Sequence, residues 1–156
     1  MGIPVNSYFN TSTAITATTL AGLLAGTGYA LPGISNISSS VGGMVLRVYF
    51  LVTTGTNPIA NGTIQFYLLQ GDANPPNIYT DGAPTAGGTY TPISSQLVAI
   101  VPVTSTSNQK YYGSFVIRNP GPYWGIAVYN NTGVALYGTA SSTYFLLNYV
   151  TESIST

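Results

Sequence analysis

The side chains that could perform chemistry in this chain are few. Its 156 residues include three basic and three acidic side chains, and neither cysteine nor histidine. The charged residues are Arg47, Lys110, Arg118, Asp72, Asp81 and Glu152. The lack of cysteine excludes a thiolate nucleophile, a disulfide and a Cys-ligated metal, and the lack of histidine removes the commonest general base and metal ligand. Acid–base or nucleophilic catalysis would therefore have to use three carboxylates and one lysine.

Two of the carboxylates, those of Asp72 and Asp81, could in principle form a glycosidase pair or part of a calcium site. A glycosidase needs two carboxylates across the scissile bond, and a calcium loop has acidic residues at a regular spacing that this chain lacks. Asp72 and Asp81 occur as Gly-Asp and Asp-Gly in a Pro/Gly-rich stretch. A carboxylate there usually accepts a hydrogen bond from a nearby backbone N–H. We favour turn formation over both alternatives, and predict no catalytic, cofactor-binding or metal-binding residue and no enzymatic activity.

The basic residues are isolated along the chain. A Ser-His-Asp triad is impossible without histidine, and a Ser-Lys dyad would depend on Lys110, the only lysine. Lys110 stands where an apolar run begins, a position in which lysine protects a sheet edge. Arg47 and Arg118 lie inside apolar runs and are candidates for interface ion pairs or for edge protection. Three separate cations cannot neutralise a run of phosphates, so we predict no binding of nucleic acid.

The composition indicates a folded protein that associates with partners. Hydrophobic residues make up 45% of the chain, charged residues only 4%, and the net charge is zero. The 13 tyrosines and five phenylalanines argue against disorder, and a surface with so little charge has weak repulsion between copies. The first residues lack the basic region of a signal peptide, and no apolar stretch is long enough for a membrane helix. We expect a non-membrane protein made in the cytoplasm.

The elements that must position these residues are predicted to be strands. Residues 44–54 (MVLRVYFLVTT) and 63–70 (TIQFYLLQ) are rich in β-branched and aromatic residues, and we expect them to pair antiparallel. Five more apolar runs follow at intervals of roughly ten residues, a spacing typical of a sandwich and not of βαβ units. We therefore predict an all-β, antiparallel β-sandwich of about seven or eight strands, most consistent with a jelly roll.

The strongest local pattern is WGIAVYNNTGVAL, residues 124–136. Bulky and small residues alternate before an Asn/Thr/Gly cluster that tolerates positive φ, and a second apolar run follows. This pattern predicts a β-hairpin, with Trp124 packed in the core.

Two stretches are predicted to make contacts with partners. Residues 1–40, rich in Thr, Ser, Ala and Gly, have at best one short helix near Leu20, and we interpret them as an extended arm before a sandwich domain over residues 41–156. Residues 71–92 contain four prolines and are predicted to be mostly loop, with a small strand over 77–80. Loops of this length usually carry function or contact a partner. The many tyrosines could bind a carbohydrate or a protein, or simply alternate on strands.

Two of these motifs carry a resemblance. The Y-T-D-G loop at residues 79–82 and the hairpin pattern at 124–136 resemble motifs of small virion proteins of tailed bacteriophages, over roughly residues 50–140. The resemblance implies a β-sandwich or jelly-roll component of the virion, assembled after synthesis in the bacterial host cytoplasm. It most closely suggests a capsid decoration or cement protein that binds the major capsid protein and copies of itself, with a trimer the oligomer that fits a jelly-roll cement.

The resemblance does not distinguish head from tail. The alternative is a tail, fibre or vertex module that binds a host-surface glycan through exposed tyrosines. No catalytic residue is implied in either case.

Overall fold

The structure, a computed structural model, describes residues 6–9, 11–36, 45–72, 78–93 and 95–155. Twelve strands follow one another in these ranges: β1 (Asn6–Phe9), β2 (Thr13–Ile15), β3 (Thr27–Ala30), β4 (Ile34–Ser35), β5 (Val45–Thr53), β6 (Thr63–Asp72), β7 (Ile78–Tyr79), β8 (Gly88–Thr89), β9 (Gln96–Pro102), β10 (Lys110–Arg118), β11 (Tyr123–Asn131) and β12 (Leu146–Ser155).

The strands form two antiparallel sheets, which confirms the predicted all-β sandwich. Sheet A has the order β1-β12-β5-β10, with β2 also paired to β12. Sheet B has the order β7-β6-β11-β3-β8, with β4 also paired to β11 and β9 to β6. The strands can be renumbered from 1 to 8 along the chain if β1 and β2 are counted together as strand 1, β3 and β4 together as strand 2, and the two-residue β7 and β8 are left out. Sheet A then has the order 1-8-3-6 and sheet B the order 2-7-4-5. This distribution of strands between the two sheets favours the jelly roll, which stays a prediction.

The core lies between the two sheets. Alternate residues of β5 and β6 point inward and are buried, as the period of two requires. Phe50 and Phe115 of sheet A meet Phe66 of sheet B, with ring centroids 4.7 Å apart for Phe50–Phe66 and 5.3 Å apart for Phe66–Phe115. Trp124 is buried as predicted, and its ring meets that of Tyr149 edge-on at 5.1 Å.

The predicted pairing of residues 44–54 with residues 63–70 is wrong. β5 pairs with β10 and β12 in sheet A, whereas β6 pairs with β11 and β9 in sheet B. The two strands exist as expected, but their apolar faces pack against each other across the core instead of lying side by side. The Phe50–Phe66 contact is the centre of that packing.

The described residues of the predicted N-terminal arm belong to the sandwich. They are extended, with one short 3-10 helix at Thr18–Leu20, but they supply strands to both sheets. β1 and β2 pair with β12, and β3 and β4 with β11, while Leu20 and Leu31 are fully buried. Residues on both sides of position 40 therefore contribute to the same core. Without these strands, β11 and β12 would each expose an unpaired edge.

The predicted hairpin at 124–136 does not form. β6 occupies one edge of β11, and β3 and β4 occupy the other, so the returning chain has no free edge to join. Instead the chain leaves sheet B for sheet A, where Leu136 forms an isolated bridge with Thr54 and the Tyr137 N–H donates to the Thr53 carbonyl at 3.1 Å. The second apolar run is thus a crossing between the sheets.

One buried side chain fixes the start of this crossing. Asn130 is fully buried, and its amide Nδ2 donates to the carbonyls of Leu23 and Val134, both at 2.8 Å. Its Oδ1 accepts from the Thr132 N–H at 3.1 Å and from the Thr132 hydroxyl at 2.8 Å. A single amide therefore joins the N-terminal segment, the end of β11 and the crossing.

Replacing this amide should destabilise the whole fold. Asn130→Ala removes four hydrogen bonds: it leaves the buried Thr132 N–H without its acceptor, at a cost of about 1–3 kcal/mol, and takes one of two donors from each of the Leu23 and Val134 carbonyls. We expect a loss of roughly 3 kcal/mol in the free energy of unfolding, measured by urea denaturation. The matched control is Asn131→Ala at the exposed neighbouring position, which should change stability by less than about 0.5 kcal/mol. Equal losses in the two variants would contradict this role for Asn130.

Candidate interaction surface

The outward face of sheet B is covered by the chain itself over β3, β11 and the end of β6, but not over β9. Residues 78–92, predicted to be a loop that contacts partners, lie over β3, β6 and β11. The Thr80 N–H donates to the Gln70 carbonyl and the Tyr90 N–H to the Gly28 carbonyl, both at 2.9 Å. We call residues 78–92 the covering segment. Its apolar side chains form a second buried cluster with sheet B, which contains Ala30, Leu69, Tyr79, Ala83, Tyr90, Tyr123 and Ala127.

Tyr79 anchors the covering segment on sheet B. Its side chain is 1% exposed, and its ring centroid lies 5.3 Å from that of Tyr123. A Cβ atom on Gly33 or Gly125 would collide with the Tyr79 hydroxyl, so both glycines are needed to admit the ring. Burial raises the pKa of the Tyr79 phenol well above its ordinary value. Of the residues that the structure describes, none forms a hydrogen bond with this hydroxyl.

Asp81 forms the turn predicted for it. The Ala83 N–H donates to Asp81 Oδ1 at 3.3 Å, and the Tyr90 hydroxyl donates to Oδ2 at 2.7 Å. The Ser95 hydroxyl also donates to Oδ2. Burial, with a contribution from the charge of Asp81, raises the pKa of the Tyr90 phenol. The carboxylate thus holds the covering segment in shape.

The other two acidic residues belong to different elements from Asp81. Asp72 ends β6 and is exposed, and the side chain of Glu152 in β12 lies outside the described residues. In the described ranges, no group of three or more acidic side chains could hold a metal ion.

The outward face of sheet A is accessible in large part, although Leu51 (7% exposed) and Thr53 (0%) at one end of β5 are buried. We call it the open face, and define it as the outward residues of β5, β10 and the described part of β12. Three cross-strand rows cross this face, each with a β5 residue in the middle: Val116–Arg47–Val150, Ser114–Tyr49–Asn148 and Tyr112–Leu51–Leu146. Lys110 and Arg118 lie at the two ends of β10. Tyr112 is 69% exposed, Tyr49 45% and Val116 39%.

The basic residues collect on the open face. Arg47, Lys110 and Arg118 all occupy outward positions of sheet A, whereas Asp72 and Asp81 lie on the side of sheet B. Lys110 and Arg118 are on β10, the edge strand of sheet A, where they suit the predicted role in edge protection. Arg47 is on the interior strand β5, so edge protection does not account for it.

Apolar exposure continues from the open face around the edge of the sandwich. β9, at the neighbouring edge of sheet B, exposes Leu97 (43%) and Ile100 (52%). A cleft of about 190 Å³ separates β9 from β10, and its lining residues are Leu68, Gln96, Val98, Val116, Ile117 and Arg118. A shallow depression of about 430 Å³ lies near Gly55 and Leu136, and no charged residue lines it.

The open face differs from both predicted contact elements. The described residues of the N-terminal segment and of 71–92 are built into the sandwich, whereas the sequence analysis did not single out Tyr49, Tyr112 or Val116. The signal available was the alternation in β5 and β10, which places arginine and tyrosine on the face opposite the core residues. The alternation does not show which of the two sheets is covered by another part of the chain.

Known proteins provide no guide to this surface. No family model, curated protein or solved structure matches the chain. No helix within the described residues is long and apolar enough to cross a membrane.

The anchoring role of Tyr79 predicts opposite results for two substitutions. Tyr79→Phe removes a buried hydroxyl without a described partner and should leave the free energy of unfolding unchanged or raise it. Tyr79→Ala leaves a cavity beneath the covering segment and should lower stability by about 3–5 kcal/mol. Urea denaturation measures both, and limited proteolysis should show faster cleavage within residues 78–92 of Tyr79→Ala only.

The control for ring removal is Tyr112→Ala on the open face, which should change stability by less than about 0.5 kcal/mol because this ring is exposed. If Tyr79→Phe were as destabilising as Tyr79→Ala, the hydroxyl rather than the ring would anchor the segment.

Proposed function

We propose that this chain is a structural protein of a tailed-phage virion, and most specifically a capsid decoration or cement protein. It binds the major capsid protein and copies of itself, with a trimer as the expected assembly, and stabilises the head lattice through protein contacts. The observation that carries the proposal is the asymmetry of the sandwich: its own chain covers most of sheet B apart from β9, while sheet A presents Tyr49, Tyr112 and Val116 to the outside.

The physical properties of the chain support a protein held in an assembly. Only 4% of its residues are charged and the net charge is zero, which gives weak electrostatic repulsion between molecules. A docked protein does not need a charged surface for solubility, and binding to the folded state alone stabilises that state by mass action. The two-sheet fold exposes sheet faces, and contact through a sheet face suits a lattice protein better than a small-molecule pocket does.

The second candidate is a tail, fibre or vertex module that binds a host-surface glycan. Exposure of Tyr49 and Tyr112 favours it, because tyrosine offers an apolar ring and a polar hydroxyl together. The tyrosines of the covering segment do not support it, since Tyr79 is 1% exposed and Tyr90 8%. A glycan would therefore have to bind at the open face.

Copy number in purified particles tests the proposal. Quantitative mass spectrometry of particles of the phage that encodes the chain should find it in hundreds of copies for a head protein, and in a handful for a tail or vertex protein. Particles lacking the protein should release their DNA at a lower temperature than complete particles, because the lattice loses the added contacts. Absence of the chain from the particles would contradict both candidates, and equal heat resistance would contradict the cement role.

A further inference from the structure

We propose that the open face docks on a partner protein that presents carboxylates, and not on the open face of a second copy. The inference rests on the proposed function only for the identity of the partner, which would be the lattice protein. Its grounds are the size of the face, its residue types and its charge.

The open face can supply a substantial part of a protein–protein interface. It comprises three strands, of which β5 and β10 have nine residues each. With strands about 4.8 Å apart and a rise of about 3.4 Å per residue, the face measures roughly 14 by 31 Å, or about 430 Å² before side-chain relief. Standard interfaces bury about 800 Å² of accessible surface on each partner. The face would thus supply about half of one standard contact, and exposed Leu97 and Ile100 of β9 extend the apolar surface beyond it.

The residue types at its centre are those that dominate binding energies. Arg47 lies on an interior strand between Val116 and Val150, and exposed Tyr49 is two residues further along β5. Arginine and tyrosine are enriched among the few interface residues that carry most of the affinity. An arginine surrounded by apolar side chains forms its strongest contact with a carboxylate, which it can bind through two parallel hydrogen bonds.

The charge of the face argues against a second copy as its occupant. Arg47, Lys110 and Arg118 all lie there, and the strand register adds a single acidic residue, Glu152, at an outward position of β12 opposite Val45. Two open faces in contact would bring six cations but only two glutamates into one interface, and like charges in excess there cost several kcal/mol. An acidic surface would instead meet all three cations with complementary charge.

The free edge of sheet A leads to the same conclusion. If β10 of two copies paired antiparallel about Ser114, Lys110 of each copy would lie opposite Arg118 of the other. Like charges directly opposite in a sheet are destabilising, and charged ends are a common protection of edge strands. Pairing of identical copies through this edge is therefore disfavoured as well.

The test is rebinding of the purified full chain to particles that lack it. We expect Arg47→Glu to weaken binding at least about 30-fold, the loss typical of a central hot-spot residue. Arg47→Lys, which keeps the charge, should retain most of the affinity. The matched control is Thr91→Glu, which introduces a negative charge at an exposed position of the covering segment and should bind as the unmodified chain does. Binding of the unmodified chain should also weaken as salt concentration rises.

The outcomes separate this inference from the proposed function. If the unmodified chain binds the particles and Arg47→Glu binds equally well, the docking face is wrong while the virion role stands. If the purified chain forms dimers that Arg47→Glu disrupts, the open face is occupied by a second copy and the inference is overturned. If the unmodified chain does not bind, the proposed function itself fails. Urea denaturation of each variant should match that of the unmodified chain, because Arg47 and Thr91 lie outside the core.

Discussion

Burial of the inward faces of sheets A and B against each other is the interaction on which the rest of the structure depends. The contact of Phe66 with Phe50 and Phe115 joins the two sheets, and strands from both ends of the chain complete them. With the inward faces buried against each other, each sheet has one outward face that the core does not cover. The two outward faces differ: the covering segment packs on most of sheet B, whereas sheet A stays open around Tyr49, Tyr112 and Val116.

This asymmetry connects the fold to the proposed function. Tyr79 and Asp81, in the most loop-like part of the sequence, serve the stability of the covering segment. Arg47 and Tyr49, within a regular strand, are available to a partner. A chain with only six charged residues has all three of its cations on the open face, against one glutamate at an outward position there, and this excess of positive charge attracts an acidic partner and opposes contact between identical faces.

The sequence allowed prediction of the strands but not of their neighbours. Alternation and β-branched residues located β5, β6 and β11, and residue type placed Trp124 in the core and Asp81 in a turn. Pairing depends on which edges are already occupied by distant segments, and that information is not local. The hairpin failed because β3, β4 and β6 occupy both edges of β11, and β5 and β6 face each other because their apolar sides match across the core. The open face was missed for a related reason, as the alternation does not show which sheet is covered.

Chemical modification of tyrosines, read by mass spectrometry in the free protein and in intact particles, tests the central claim most directly. In the free protein, Tyr49 and Tyr112 should react readily, whereas Tyr79 and Tyr90 should be protected by burial. In particles, Tyr49 and Tyr112 should become protected to the same degree as the buried pair. Equal reactivity of Tyr49 and Tyr112 in both states would contradict the claim that the open face is where this protein is held.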